Sequence, residues 1–173
     1  MAWADTSMNI TGEVRDEAHL DMLVAAIVAD RPTPSWSESE IRSEAEAGQY
    51  LRDTLAAGAD LVFAENSRHN ECFPRIEATC REIGLGYVVT VSVDEEHDTP
   101  GHRDIYDPAL RNLRRIQGMD DGYVKAADVL ELLEAGRVPE AITVIKEAIS
   151  PAAGLPQGFS VADGLLAEPA LRV

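Results

Sequence analysis

Glu65, His69 and Cys72 bring an acid, an imidazole and a thiol within eight residues of chain. A glutamate near a histidine can pass a proton to and from a substrate, and a thiol in the first turn of a helix has its pKa lowered by the helix dipole. The three belong to the polar run Glu65, Asn66, Ser67, Arg68, His69, Asn70, Glu71, Cys72, which follows the apolar segment DLVFAEN at 60–66 and precedes a helical pattern. That order places them at the carboxyl end of a buried strand, the edge at which open α/β sheets bind ligands. The chemistry such a set could do is that of a small hydrolase or transferase. The same residues also read as a solvated turn with Asn70 capping the next helix, and no second half of a catalytic arrangement stands at a diagnostic spacing.

Asp94, Glu95, Glu96, His97, Asp98 and His102 are six potential metal ligands within nine residues. Metal loops hold their ligands at set offsets and use a glycine to make the turn, and this segment matches neither the calcium loop nor a zinc pattern. A water-exposed hairpin tip accounts for it better. His97 and His102 are therefore candidate ligands only, and the expectation is that no metal or other cofactor is bound. Arg111, Arg114 and Arg115 make the one basic knot, suited to a phosphate or carboxylate on a partner or to neutralising acids on the chain's own surface. The sequence contains no glycine-rich phosphate loop with its lysine, no G-x-S-x-G elbow, no dinucleotide fingerprint, no paired C-x-x-C and no H-E-x-x-H.

The charge points away from nucleic acid. Against 31 acidic residues stand 15 basic ones, a net charge of −16, so bare DNA, RNA and anionic membrane surfaces are repelled. The expected partner is a protein, with no direct nucleic-acid binding and no membrane contact. Glu38, Glu44, Glu46 and Asp53 can project from a helix expected from Ser37 to Gly58 and are the candidate partner-binding residues. In one form of this reading the protein is an inhibitor that imitates DNA on a nucleic-acid enzyme, which requires carboxylates that track phosphate spacing. A homodimeric structural module, burying the carboxy-terminal helices, is the remaining class. The opening MAWADTSMNITGEVRDE has neither a basic flank nor an apolar core, and no run approaches the roughly 18 apolar residues of a membrane span, so a cytoplasmic protein is expected.

The elements that would position these residues follow from periodicity. MNITGEV at 8–14 alternates like a strand, and Asp16 stands where a helix cap belongs. Leu20, Leu23, Val24, Ile27 and Val28 then repeat at helical spacing until Pro32. Ser37 with Glu40 forms a capping-box pattern for the second helix, which Gly58 ends. A third helix over 71–83 carries Phe73, Ile76, Cys80 and Ile83 inward and stops at Gly84. Cys72 and Cys80 lie about two helical turns apart there, too far to bridge, so both are expected as free thiols with Cys80 in the core. GYVVTVSVD puts Tyr87, Val89, Val91 and Val93 on one face, the period of a strand with one side on the core, and 102–107 returns as its antiparallel partner. Residues 123–149 read as two helices around Gly136, with Val138, Ile142, Ile145 and Ile149 lining the second. LLEAGRVPEAITVIKEAISP, at 132–151, has the spacing of the middle of a tetratricopeptide repeat, but no second copy stands at the period of about 34.

With 45% hydrophobic and 27% charged residues over 173 positions, one globular domain suffices. The expectation is an α+β domain over 1–149, a mixed sheet of about four strands covered by helices, with a C-terminal helical hairpin. Residues 150–173 follow as a tail packed on the domain or on a partner.

Phe73, Ile76, Glu77, Cys80, Arg81, Glu82, Gly84, Leu85 and Tyr87 resemble a segment of small uncharacterised accessory proteins of bacterial plasmids, phages and integrative elements. The similarity extends to MNITGEV and to the Gly118, Met119, Asp120 turn. Where those proteins often carry an aromatic and Pro-Gly-Met after the last strand, this chain has Ile105, Tyr106, Asp107 and Pro108. The resemblance implies a mobile-element setting and no catalytic residue.

Overall fold

The alternation of MNITGEV extends back to Ala4, and Ala4–Val14 forms β1, an 11-residue strand. The structure, a computed structural model, describes residues 4–34, 39–67, 73–92, 101–117, 126–149, 155 and 157–166. β1 lies between β2 (Leu61–Ser67) and β3 (Gly86–Val91), with β4 (His102–Asp107) and β5 (Asn112–Gln117) following outward. Every adjacent pair in the order β2-β1-β3-β4-β5 is antiparallel. A short β6 (Phe159–Val161) adds to β1 in parallel along Gly12–Val14. The fold is α+β, as the element order implied, and the open sheet has five antiparallel strands plus the parallel β6 rather than about four strands. The strands not anticipated are β5, whose residues are too polar to alternate clearly, and β6, only three residues long.

α1 (Glu17–Asp30) starts at Asp16, whose Oδ1 accepts from the His19 amide at 2.9 Å, and ends at Arg31 with φ 53° before Pro32. Leu20, Leu23, Ala26 and Ile27 are its buried face. The cap of α2 (Glu44–Ala57) stands six residues later than Ser37. Ser37 and Ser43 both open an S-x-x-E pattern, and the one at Ser43 is used: Ser43 Oγ accepts from the Glu46 amide, and Glu46 Oε2 accepts from the Ser43 amide at 3.0 Å. A tertiary contact decides between them. The Ile41 amide donates to Pro32 O at 2.9 Å and the Ile41 side chain is buried, which holds the chain before Ser43 out of a helix.

α3 (Pro74–Ile83) also starts later than expected, at a proline whose fixed φ suits a first turn. Gly58 and Gly84 cap α2 and α3 in the left-handed conformation. α4 (Ala126–Glu134) and α5 (Val138–Ile149) are joined through Gly136, φ 72°.

Residues from α1, α2 and α3 share one core with Met8, Ile10, Leu61, Phe63, Tyr87, Val89 and Val91. A smaller cluster of Val88, Ile105 and Leu155 covers the opposite face, so β3 is buried on both sides rather than on one. Phe159 of β6 belongs to the main core. Among the described residues no helix is long and apolar enough to cross a membrane.

Candidate functional site

Glu65 stands on the edge strand β2, opposite Thr6 of β1. The rule that places ligands at the carboxyl ends of strands belongs to open, mostly parallel α/β sheets, and the sheet that carries Glu65 is antiparallel around it, so the rule lends this residue no support. One carboxylate oxygen, Oε2, is removed from water and has no hydrogen-bond partner among the described residues. Burial pushes its pKa up to about 7, with Asp30 and Glu40 adding repulsion. Asp30 itself accepts from the Arg75 and Ile76 amides at 2.9 and 2.8 Å, capping α3 from α1. Two amides of that helix end are therefore already satisfied by a carboxylate, and Cys72 precedes the helix instead of opening it. His69 and Cys72 lie outside the described residues, as do His97 and Glu38. Among the described residues the charged groups acting on Glu65 are other carboxylates, which favour its protonated form.

A second polar set lies where β4 and β5 pass α3, and sequence reasoning missed most of it. Arg115 grips Asp104 with two bonds, Nε to Oδ1 at 2.7 Å and an NH to Oδ2 at 2.6 Å. His102 Nε2 is 4.0 Å from the same carboxylate. Burial, and then the Arg115 charge, lowers the His102 pKa, while Asp104 opposes them. On α3, Arg81 donates to Tyr87 Oη and to Glu77 Oε2, and Tyr87 Oη donates to Glu77 at 3.2 Å. Burial raises the Glu77 pKa against these bonds. Each of these groups is engaged by another, which makes the set a polar seam between α3 and the sheet. The signal for it was the alternation His102, Asp104, Tyr106, which puts all three on one face.

His102 is thus not at a hairpin tip: it is the first residue of β4 and buried, and a cation placed beside it would meet the Arg115 guanidinium. No group of three metal-ligating side chains occurs among the described residues. The basic knot is also dispersed. Arg111 sits in a turn with φ 51°, Arg115 neutralises Asp104, and Arg114 pairs across from Ile105 on the other face of the sheet.

The carboxylates expected to project from α2 divide in the same way. Glu46 turns back to cap the helix, and Asp53 accepts from the Gln49 side chain at 2.7 Å. Both line a groove of about 340 Å³ together with Glu40 and Tyr50. Glu44 is exposed in the first turn. Glu46 and Asp53 are exposed as well.

The C-terminal helices present the largest departure from expectation. Val138, Ile142 and Ile145 were expected to face inward; they are 46%, 46% and 38% exposed, and on α4 Leu130 and Leu133 are 54% and 46% exposed. Ala141 is buried, and Val129, Leu132 and Val144 are half-buried. The apolar arc of α5 runs from Val144 through Ala141 to Val138 and Ile142, wider than one neighbouring helix covers. Among the described elements, α4 and α5 pack mainly on each other.

Comparison with family models, curated proteins and solved structures returned no match.

Proposed function

We propose that this chain is a protein-binding accessory protein whose contact surface is the exposed apolar face of α4 and α5. The observation that carries the reading is the row Leu130, Leu133, Val138, Ile142 and Ile145, left in water on two adjacent helices of a chain with net charge −16. Their exposed fractions add to a little over two whole aliphatic side chains. Covering that much surface is worth roughly 3–7 kcal/mol before the costs of association. Leu110 and Leu113 at the β4–β5 turn are exposed too, but five such residues gather on α4 and α5, and contiguous apolar exposure is what interaction sites show. The acid surplus fits a partner with basic character, and an inhibitory role on a nucleic-acid enzyme, in the mobile-element setting implied by Phe73 to Tyr87, is the form of the reading we favour. The hydrolase or transferase alternative draws no support from Glu65, whose charged neighbours among the described residues are carboxylates.

The test is quantitative affinity capture from a bacterial extract with the native chain and with Leu133→Ser plus Ile142→Ser. Both positions are half in water, so the double variant should still fold, at a cost of about 1–3 kcal/mol from the half-burial it gives up, which a melting curve of the variant checks. Proteins bound through this face should drop at least tenfold on the variant. Identical capture by both chains would overturn the reading.

A further inference from the structure

Resting on that reading, we infer that the occupant of the α4 and α5 face is a single amphipathic helix with basic flanks, supplied by a different protein. Three observations lead there. The first is shape. α4 and α5 are joined by a three-residue connection around Gly136 and contact each other, and a third helix laid along such a pair completes a bundle. Ala141 is buried and Leu132 and Val144 are half-buried, while Leu130, Leu133, Val138, Ile142 and Ile145 are more exposed. With 9 and 12 residues, α4 and α5 are about 13 and 18 Å long, which matches three turns of a partner.

The second is size. The uncovered apolar surface is on the order of 200 Å², about half of the roughly 450 Å² of apolar surface that each side gives to a stable interface between whole proteins. A short helix needs less and presents its anchors at the same i, i+3, i+4, i+7 spacing that the two helices offer. The third is charge. Residues 126–149 contain five acids and two bases, and one of the bases, Arg137, is spent on Glu140 through a two-pronged contact that includes a 2.7 Å bond. Glu131 and Glu134 are exposed beside the leucines. A second copy would bring the same acids, on a body carrying −16, against this rim; a helix flanked by lysine or arginine would complement it.

The probes are three fluorescein-labelled 14-residue synthetic helices: leucines at i, i+3, i+4, i+7 with lysine flanks, the same leucines with glutamate flanks, and the lysine peptide with every leucine replaced by glutamine. Binding is followed by fluorescence anisotropy at low and at high salt, alongside sedimentation of the chain alone. The native chain should bind the leucine and lysine peptide at least tenfold more tightly than the glutamate peptide at low salt, with the gap narrowing as salt rises. Leu133→Ser plus Ile142→Ser should remove that binding. Glu131→Gln plus Glu134→Gln should keep the leucine dependence while the gap between lysine and glutamate flanks closes. Equal binding of both charged peptides, or undiminished binding of the glutamine peptide, overturns the inference. So does a concentration-dependent dimer that dissociates in the Leu133 and Ile142 variant, although that result would leave a protein-binding face in place. The face itself fails only if the captured proteins are indifferent to those two residues.

Discussion

Replacing Glu65 by glutamine should stabilise the protein at pH 8 and leave it nearly unchanged at pH 4. In the folded chain the carboxyl keeps its proton up to about pH 7, against an ordinary 4.5, because burial disfavours the carboxylate and because Asp30 and Glu40 repel it. Between those two values the native state holds more protons than the unfolded chain. The contribution of Glu65 is therefore intact below 4.5 and is lost as pH rises to about 7. At 1.36 kcal/mol per pH unit, that span sets a ceiling of about 3 kcal/mol. The carboxyl is only half enclosed, and solvent screening brings the expected loss to about 1–2 kcal/mol. Glutamine matches the shape of the protonated acid and does not ionise, so it should recover that amount. Urea unfolding of native and Glu65→Gln chains from pH 4 to pH 8 measures it, and taking the difference between the two cancels His102. That residue runs the other way: its depressed pKa means that its contribution is lost as pH falls through 6.5. A difference that stays flat across the range, or that favours the native chain at pH 8, would refute the reasoning, and so would a Glu65 side-chain resonance titrating at 4.5.

Two further perturbations probe the sheet and the polar seam. Gly86→Ala would set a methyl 2.8 Å from Thr11 Oγ1 and 3.3 Å from Pro108 Cδ, on a strand buried on both faces, and should cost about 1–3 kcal/mol in chemical denaturation; wild-type stability would mean that Thr11 yields without penalty. Arg115→Leu removes the positive charge that helps depress His102, so the imidazole pKa should move upward toward 6.5 in an NMR titration, and no movement would leave burial as the whole cause.

Much of the fold was legible because its signals are local. The Asp16 cap, the spacing from Leu20 to Ile27 and the stop before Pro32 are contained in one stretch of chain, and α1 follows them. The same holds for Gly58, Gly84 and the antiparallel return of 102–107 onto β3. The start of α2 was not legible, since Ser37 and Ser43 offer the same capping pattern and the choice is made by Ile41 bonding back to Pro32. The state of Glu65 was hidden for a similar reason: its ionisation depends on Asp30 and Glu40, which only the fold brings near it. Val88, on the face of β3 that otherwise carries Thr90, was the one local hint that both faces are covered.

Helical periodicity fixes which arc of a helix is apolar, and it leaves open what lies against that arc. Val138, Ile142 and Ile145 carry the same pattern as Leu20, Leu23 and Ile27, yet one set is in water and the other in the core. The difference lies in the surroundings, because α1 packs against both α2 and α3 while α5 has chiefly α4 beside it. Helices of 9 and 12 residues are marginal on propensity alone and draw their stability from packing. A pair that leaves half of its apolar arc uncovered is therefore held below the stability that a third helix would supply, and occupation of that face should order α4 and α5 as well as bind to them. Amide exchange within 126–149 should slow when the leucine and lysine peptide is added and should stay unchanged with the glutamine peptide. Slowing by both peptides would separate the ordering from the apolar contact and remove this last step.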